Sequence, residues 1–285
     1  MHTAQSLVKE SIELISLPDV YIRLRSVLNS PNTSMSDVAH IIVHDPAITA
    51  RLLKLVNSPF FGLVAKVDTV THAINLLGTQ QVHDLVLATV VVDSFSGFSN
   101  DALNIYDFWY NGVYCAVTAR LLAYHCDDIE TERPFIAGLL HNIGHMVCYQ
   151  KMPAETVACA ELAVKNKIPL YQAERDELGF DYAQVGAELM REWNLPVSLQ
   201  HMTRYHIEPV KASYYRDETA IIHMAAAITQ NAIDEVPVTE ETLTVNPICW
   251  QLTRLDLETV VTIKTEADQQ VSMVMNLLFT NKKSA

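Results

Sequence analysis

The chain has 285 residues, 49% hydrophobic and 19% charged, the mixture of a packed protein rather than a disordered tail, and is long enough for one large domain or two modest ones. Its 33 acidic residues against 20 lysines and arginines leave a formal charge of -13, which repels nucleic-acid phosphates and anionic membrane surfaces, so neither is an expected partner. Only 8 glycines, where average usage near 7% would give about 20, disfavour a turn-rich β architecture and favour helices.

Residues 1–10 show neither a basic n-region nor an apolar h-region, and no apolar run approaches the ~20 residues that span a bilayer, so a cytoplasmic location is expected. From Ser36 the apolar positions Val38, Ile41 and Ile42, then Ile48, Leu52, Leu55 and Val56, recur at helical intervals on either side of Asp45-Pro46. Proline pushes the residue before it out of helical geometry, so Asp45 is predicted to cap the helix that starts at Pro46 rather than to pair with His44 as a metal dyad. His40 and His44 share a face of the preceding helix.

Asn57-Ser58-Pro59 ends the second helix and a loop follows over 60–67. Asn57, Pro59, Phe60 and Phe61 form a candidate partner-docking patch, although aromatic residues in such loops more often plug the local core. A helix over 69–77 is stopped by Gly78, and Thr79 is placed to cap the next, with Val82, Leu85, Val86 and Val90 on one face.

The serine-rich, polar stretch 93–104 is the expected boundary between an amino-terminal bundle, residues 1–98, and a second helical lobe, residues 99–285. A helix resumes near Tyr106 and runs to about Tyr124, and a periodic segment carrying Ile136, Leu139, Leu140, Ile143 and Val147 contains His141. Asp181 with Gln184 is a capping pattern for a helix ending near Trp193, Pro196 starts another, and further helices are predicted over 219–230 and 256–279.

Eleven histidines invite a metal reading. His141 and His145 are four apart, as in a zinc protease helix, but position 142 is asparagine, which takes no proton from water. His201 and His206 lie near Tyr205 in a polar segment and read as solvated. Five cysteines without a Cys-x-x-Cys pair read as reduced thiols, and Cys115, Cys148 and Cys159 as buried and inert. There is no Gly-rich phosphate loop, nucleophile elbow or paired-cysteine zinc site.

Four ordered segments resemble the HDOD domain, a bacterial signalling module related to the HD phosphohydrolases. They are residues 45–62, from Asp45-Pro46 through Asn57-Ser58-Pro59 to Gly62; 73–78, ending at Gly78; 135–144, with Gly138, His141, Asn142 and Gly144; and Val185-Gly186 leading to Trp193-Asn194-Leu195-Pro196. Together they run from about 17 to about 228. The resemblance implies an all-α, two-lobed helical bundle with an HD-domain-like carboxy-terminal lobe. It also implies where an active relative would hold metal: Asn111, the dyad position His141-Asn142, Tyr182, the pair Tyr205-His206, and Ala226. Only His141 and His206 are good ligands there.

A catalytic metal needs several protein ligands, carboxylates to offset its charge and an open place for water. Asparagine at 142 keeps the shape of aspartate without its charge, and alanine at 226 removes a ligand. The expected protein is therefore a non-catalytic regulatory module without a cofactor, acting in trans on a signalling protein or small ligand, since no receiver, kinase or cyclase segment is visible. The competing expectation is a metal-dependent phosphohydrolase or phosphodiesterase that binds a divalent ion through His141, His145 and His206.

Overall fold

The computed structural model describes residues 3–11, 17–28, 30, 34–63, 65–95, 98 and 100–279, and these are helical with no strand among them. Residue 64 of the aromatic loop and residues 96, 97 and 99 of the serine-rich stretch lie outside the described residues. In chain order the α-helices are α1 (Ala4–Ser11), α2 (Asp19–Leu28), α3 (Met35–Val43), α4 (Pro46–Val56), α5 (Val70–Leu77), α6 (Thr79–Ser94), α7 (Ile105–Tyr124) and α8 (Glu132–Leu140). They continue with α9 (Gly144–Lys151), α10 (Pro153–Asn166), α11 (Leu170–Leu178), α12 (Tyr182–Glu192), α13 (Val197–Tyr205), α14 (Arg216–Ile233), α15 (Pro247–Thr253) and α16 (Leu257–Phe279). None of these helices is long and apolar enough to cross a membrane, among the described residues.

Two compact units emerge: Met1–Ile15 with Phe98–Ala267, and Ser16–Gly97 with Asp268–Ala285. This division differs from lobes of 1–98 and 99–285 at both ends of the chain. Helix α1 packs on α12 and α9 in the larger unit through its buried Leu7 and Val8, and the last turns of α16 fall to the smaller one.

In the smaller unit the helix starts follow from capping chemistry. Ser34 and Asp37 form a reciprocal box at α3, Asp37 N–H donating to Ser34 Oγ at 3.2 Å and Ser34 N–H to Asp37 Oδ2 at 2.9 Å. Asp45 Oδ1 accepts from the N–H groups of Ala47 and Ile48, both at 3.0 Å, with Pro46 as the first residue of α4, as the sequence predicted. Thr79 does not cap α6. It is the first helical residue, and Gly78, with φ of 92°, both ends α5 and opens α6, a conformation a residue with Cβ would strain to adopt. Helix α6 is more deeply enclosed than its predicted apolar face: every residue from Val82 to Val92 is buried. That includes His83 and Asp84, joined Nδ1 to Oδ1 at 2.9 Å, with Gln80 Nε2 donating to the same carboxylate at 2.9 Å.

The loop after α4 is closed by one side chain. Asn57 Nδ2 donates to the carbonyls of Leu53 at 2.8 Å and Val67 at 2.7 Å, while its Oδ1 accepts the Val67 N–H at 2.7 Å. Phe60 and Phe61 are only 5% and 9% exposed and meet edge to face, so their rings belong to the core and not to a docking patch. Pro59 is exposed, and Asn57 is committed to the clamp. Asn57→Ala should cost roughly 1–2 kcal/mol, because it removes three hydrogen bonds and leaves partly buried backbone groups unpaired. Urea denaturation checks this, and an unchanged midpoint would contradict it.

In the larger unit, four of the seven described glycines are used for helix approach. A Cβ at Gly138 of α8 would lie 2.8 Å from Ala116 Cα and Cys115 O of α7, and one at Gly112 of α7 would lie 2.8 Å from Leu139 O. Gly144 and Gly186 do the same for α9 and α12. The apolar segment around His141 is not one helix. Residues 141–143 form a tightened turn, with Ile143 N–H bonded to Leu140 O at 3.0 Å and His145 N–H to Asn142 O at 3.0 Å, three residues apart rather than four. All five cysteines are free, and burial raises their thiols above the ordinary range, so none is poised as a thiolate.

Candidate functional site

The helix ends of the larger unit bring together most of the positions singled out in the sequence. His141 follows α8 and His206 follows α13, and each Nδ1–H donates to the carbonyl three residues back, Gly138 O and Thr203 O, both at 2.7 Å. That bond places the imidazole proton on Nδ1 and leaves Nε2 with a lone pair. The two rings meet edge-on with centroids 5.2 Å apart. His206 is 2% exposed, so it is a buried group and not the solvated one its polar neighbours implied.

Tyr182, first residue of α12, donates its hydroxyl to His206 Nε2 at 3.2 Å and stacks its ring on His145 at 4.0 Å. Asn142 Nδ2 reaches Asn111 Oδ1 of α7 at 3.3 Å, and Asn142 Oδ1 is buried without a hydrogen-bond partner. Ala226 on α14 supplies only a half-buried methyl.

Two members were not legible in the sequence. Glu174 of α11, 1% exposed, accepts the Tyr182 N–H at 2.9 Å and stands 3.9 Å from His145 Nδ1. A signal existed, since Glu174 falls four residues before Leu178 on the inward stripe of a short amphipathic helix. His223 of α14 donates through Nδ1 to His206 O at 2.6 Å and accepts the Asn246 N–H on Nε2 at 3.0 Å, so both ring nitrogens are occupied. Beside them Asp181 caps α12 through the Gln184 N–H at 2.7 Å, as predicted, and Arg175 binds it at 2.6 Å while also holding Glu208 at 2.6 Å.

Burial sets the charge of this pocket. Desolvation lowers His141 to about 4, and desolvation with the nearby His141 lowers His145 to about 3. His206 is also driven well below the usual imidazole value, chiefly by burial, and burial raises Glu174 to about 8. At pH 7 the imidazoles are therefore neutral and the Glu174 carboxyl is mostly protonated. Beside the pocket the Arg175 guanidinium bridges the carboxylates of Asp181 and Glu208.

These residues do not fit a catalytic divalent ion. Among the described residues no group of three or more His, Cys, Asp or Glu side chains is disposed to hold a metal. His206 Nε2 is occupied by the tyrosine hydroxyl, the dyad aspartate is an asparagine, and the closing carboxylate is a methyl group. What remains is a neutral set of hydrogen-bonding groups: the Nε2 of His141, the unpaired Oδ1 of Asn142 and the unpaired Nδ1 of His145.

Helix ends converging on a histidine-asparagine turn define a protein of the HD-related all-helical class. Residues 14–209 match the HDOD domain, so the chain belongs to the HDOD domain family. Among solved structures it is similar to a proposed phosphohydrolase from Shewanella amazonensis, with 26% identity, TM-score 0.74, and coverage of 97% of this chain and 99% of that one. An HDOD domain protein from Geobacter sulfurreducens shares the fold at 23% identity and TM-score 0.72, covering 97% and 98% of the two chains. An uncharacterized protein of Treponema pallidum is 24% identical over 203 residues, 71% of this chain, and the match spans only 39% of that protein's length.

Proposed function

We propose that this protein is a non-catalytic regulatory module of bacterial signal transduction, which acts by binding a protein partner or a small ligand. The observation that carries the proposal is the donor set: asparagine stands at 142 and alanine at 226, the Tyr182 hydroxyl occupies Nε2 of His206, and among the described residues no three His, Cys, Asp or Glu side chains are disposed to hold a metal. Ionising a metal-bound water requires a strongly held cation, and this pocket offers it one free lone pair on His141, one unpaired nitrogen on His145 and no carboxylate of the dyad type. The signalling part of the reading rests on family membership. The formal charge of -13 argues against nucleic acid and anionic membranes as the partner.

The competing reading, a phosphohydrolase, draws on one observation, the description of the Shewanella amazonensis relative as a proposed phosphohydrolase. The two separate in a turnover assay. With Mn2+, Fe2+, Mg2+ or Zn2+ and phosphomonoester or phosphodiester substrates, the proposal expects the protein to hydrolyse no faster than His141→Ala. Turnover that disappears in His141→Ala would establish the enzyme instead. Capture of partners by the intact protein from native lysate, with calorimetric titration of nucleotides, tests the binding role. Failure to find a specific partner in any growth condition, together with flat titrations, would defeat it.

A further inference from the structure

Outside the pocket, one pair of side chains has the arrangement of a metal site. Helix α3 buries Val38, Ala39 and Ile42, and turns His40 and His44 to solvent on its other side. Four residues apart on a helix, they stand one turn above each other, with ring centroids 4.1 Å apart. His44 Nδ1–H donates to the His40 carbonyl at 2.7 Å, which leaves its Nε2 as a lone pair facing water. A ring nitrogen tied to a backbone carbonyl is the outer support that metal-binding histidines use to fix ring and tautomer. The His40 ring is exposed beside the His44 ring, so it can turn towards the same point.

Asp37 lies one turn before His40 and Asp45 directly follows His44. Both carboxylates are engaged in helix caps, so they offset a cation's charge without joining its ligands. We propose that His40 and His44 form a surface site for one divalent transition-metal ion of the kind that prefers imidazole, Cu2+, Ni2+ or Zn2+, with water in the remaining positions. Bound metal would staple α3 across one turn. The site is independent of the pocket reading and supplies no catalytic chemistry to it.

The test uses the tag-free chain of 285 residues in a non-coordinating buffer. Calorimetric titration with NiCl2 should show one ion whose affinity falls at least tenfold in His40→Ala and in His44→Ala and is unchanged in His141→Ala and in the exposed control His72→Ala. With one equivalent of Cu2+, electron paramagnetic resonance of the unaltered protein should show two imidazole nitrogens on the metal, a readout that needs no variant to fold. Identical isotherms for the unaltered protein and the double variant His40→Ala/His44→Ala, or copper bound by fewer than two imidazole nitrogens, would overturn the proposal.

Discussion

Gly144→Ala should destabilise the protein by about 3–5 kcal/mol, enough to unfold a marginally stable domain at ordinary temperatures. The added methyl would run into the Tyr182 carbonyl oxygen and lie 2.6 Å from the Gly186 nitrogen. Both obstacles are backbone, so no flexible side chain can give way, and the starts of α9 and α12 must separate. Tyr182 would move with α12, breaking its stack on His145 and its hydrogen bond to His206. Gly186→Ala is the matched comparison: there the nearest atoms are the Thr203 methyl at 3.1 Å and the Gly144 nitrogen at 3.2 Å, which need to give by only a few tenths of an ångström, and a loss of about 1 kcal/mol is expected. Urea denaturation separates the two. Equal effects would show that α9 and α12 are not locked backbone to backbone.

Acidification from pH 6.5 to 5 should remove at least about 3 kcal/mol of stability. The unfolded chain protonates its histidines near pH 6.5, whereas folded His141 and His145 resist protonation down to about 4 and about 3, and His206 lies well below the ordinary value. Their contribution is complete above pH 6.5 and drains as the pH falls. Glu174 acts in the opposite sense, because its folded value of about 8 exceeds the ordinary 4.5. Its contribution is complete below pH 4.5 and is lost as the pH rises through 8. Between 4.5 and 6.5 these three imidazoles, with His201 and His223 lowered by burial in the same sense, oppose one carboxyl, so the net slope has the sign of the histidines, at least about two groups at roughly 1.4 kcal/mol per pH unit each before they saturate. His145→Gln should make that slope shallower by about one group, roughly 1.4 kcal/mol per pH unit. Stability that holds or rises on acidification, followed by chemical denaturation at each pH, would show that these rings are not buried neutral.

Two helix starts were legible because a side chain closes its own local bonds. Asp45 before Pro46 and Asp181 before Gln184 announce the caps they make, since both partners lie within a few residues. Features that depend on distant partners were hidden. His206 sits among Arg204, Tyr205 and Glu208 and reads as solvated, yet the turn at the end of α13 points it at Tyr182, 24 residues away in the chain. The break at 141–143 left no mark because a tightened turn preserves the apolar rhythm that identifies a helix. The attachment of α1 to α12 was invisible for a similar reason: Leu7 and Val8 declare that they are buried and not against what. At the pocket, the resemblance located Asn111, His141, Asn142, Tyr182 and His206, but the neutrality of the site comes from burial, and Glu174 and His223 enter only through the fold.

A non-catalytic role requires that the pocket around His141 not hold an ion tightly enough to activate water. Elemental analysis of His40→Ala/His44→Ala, which removes the surface pair, purified without chelator, loaded with Mn2+ or Fe2+ and desalted, measures this directly. Far less than one ion per chain, with the same trace in His141→Ala, is the predicted result. One ion per chain that is lost in His141→Ala would contradict it.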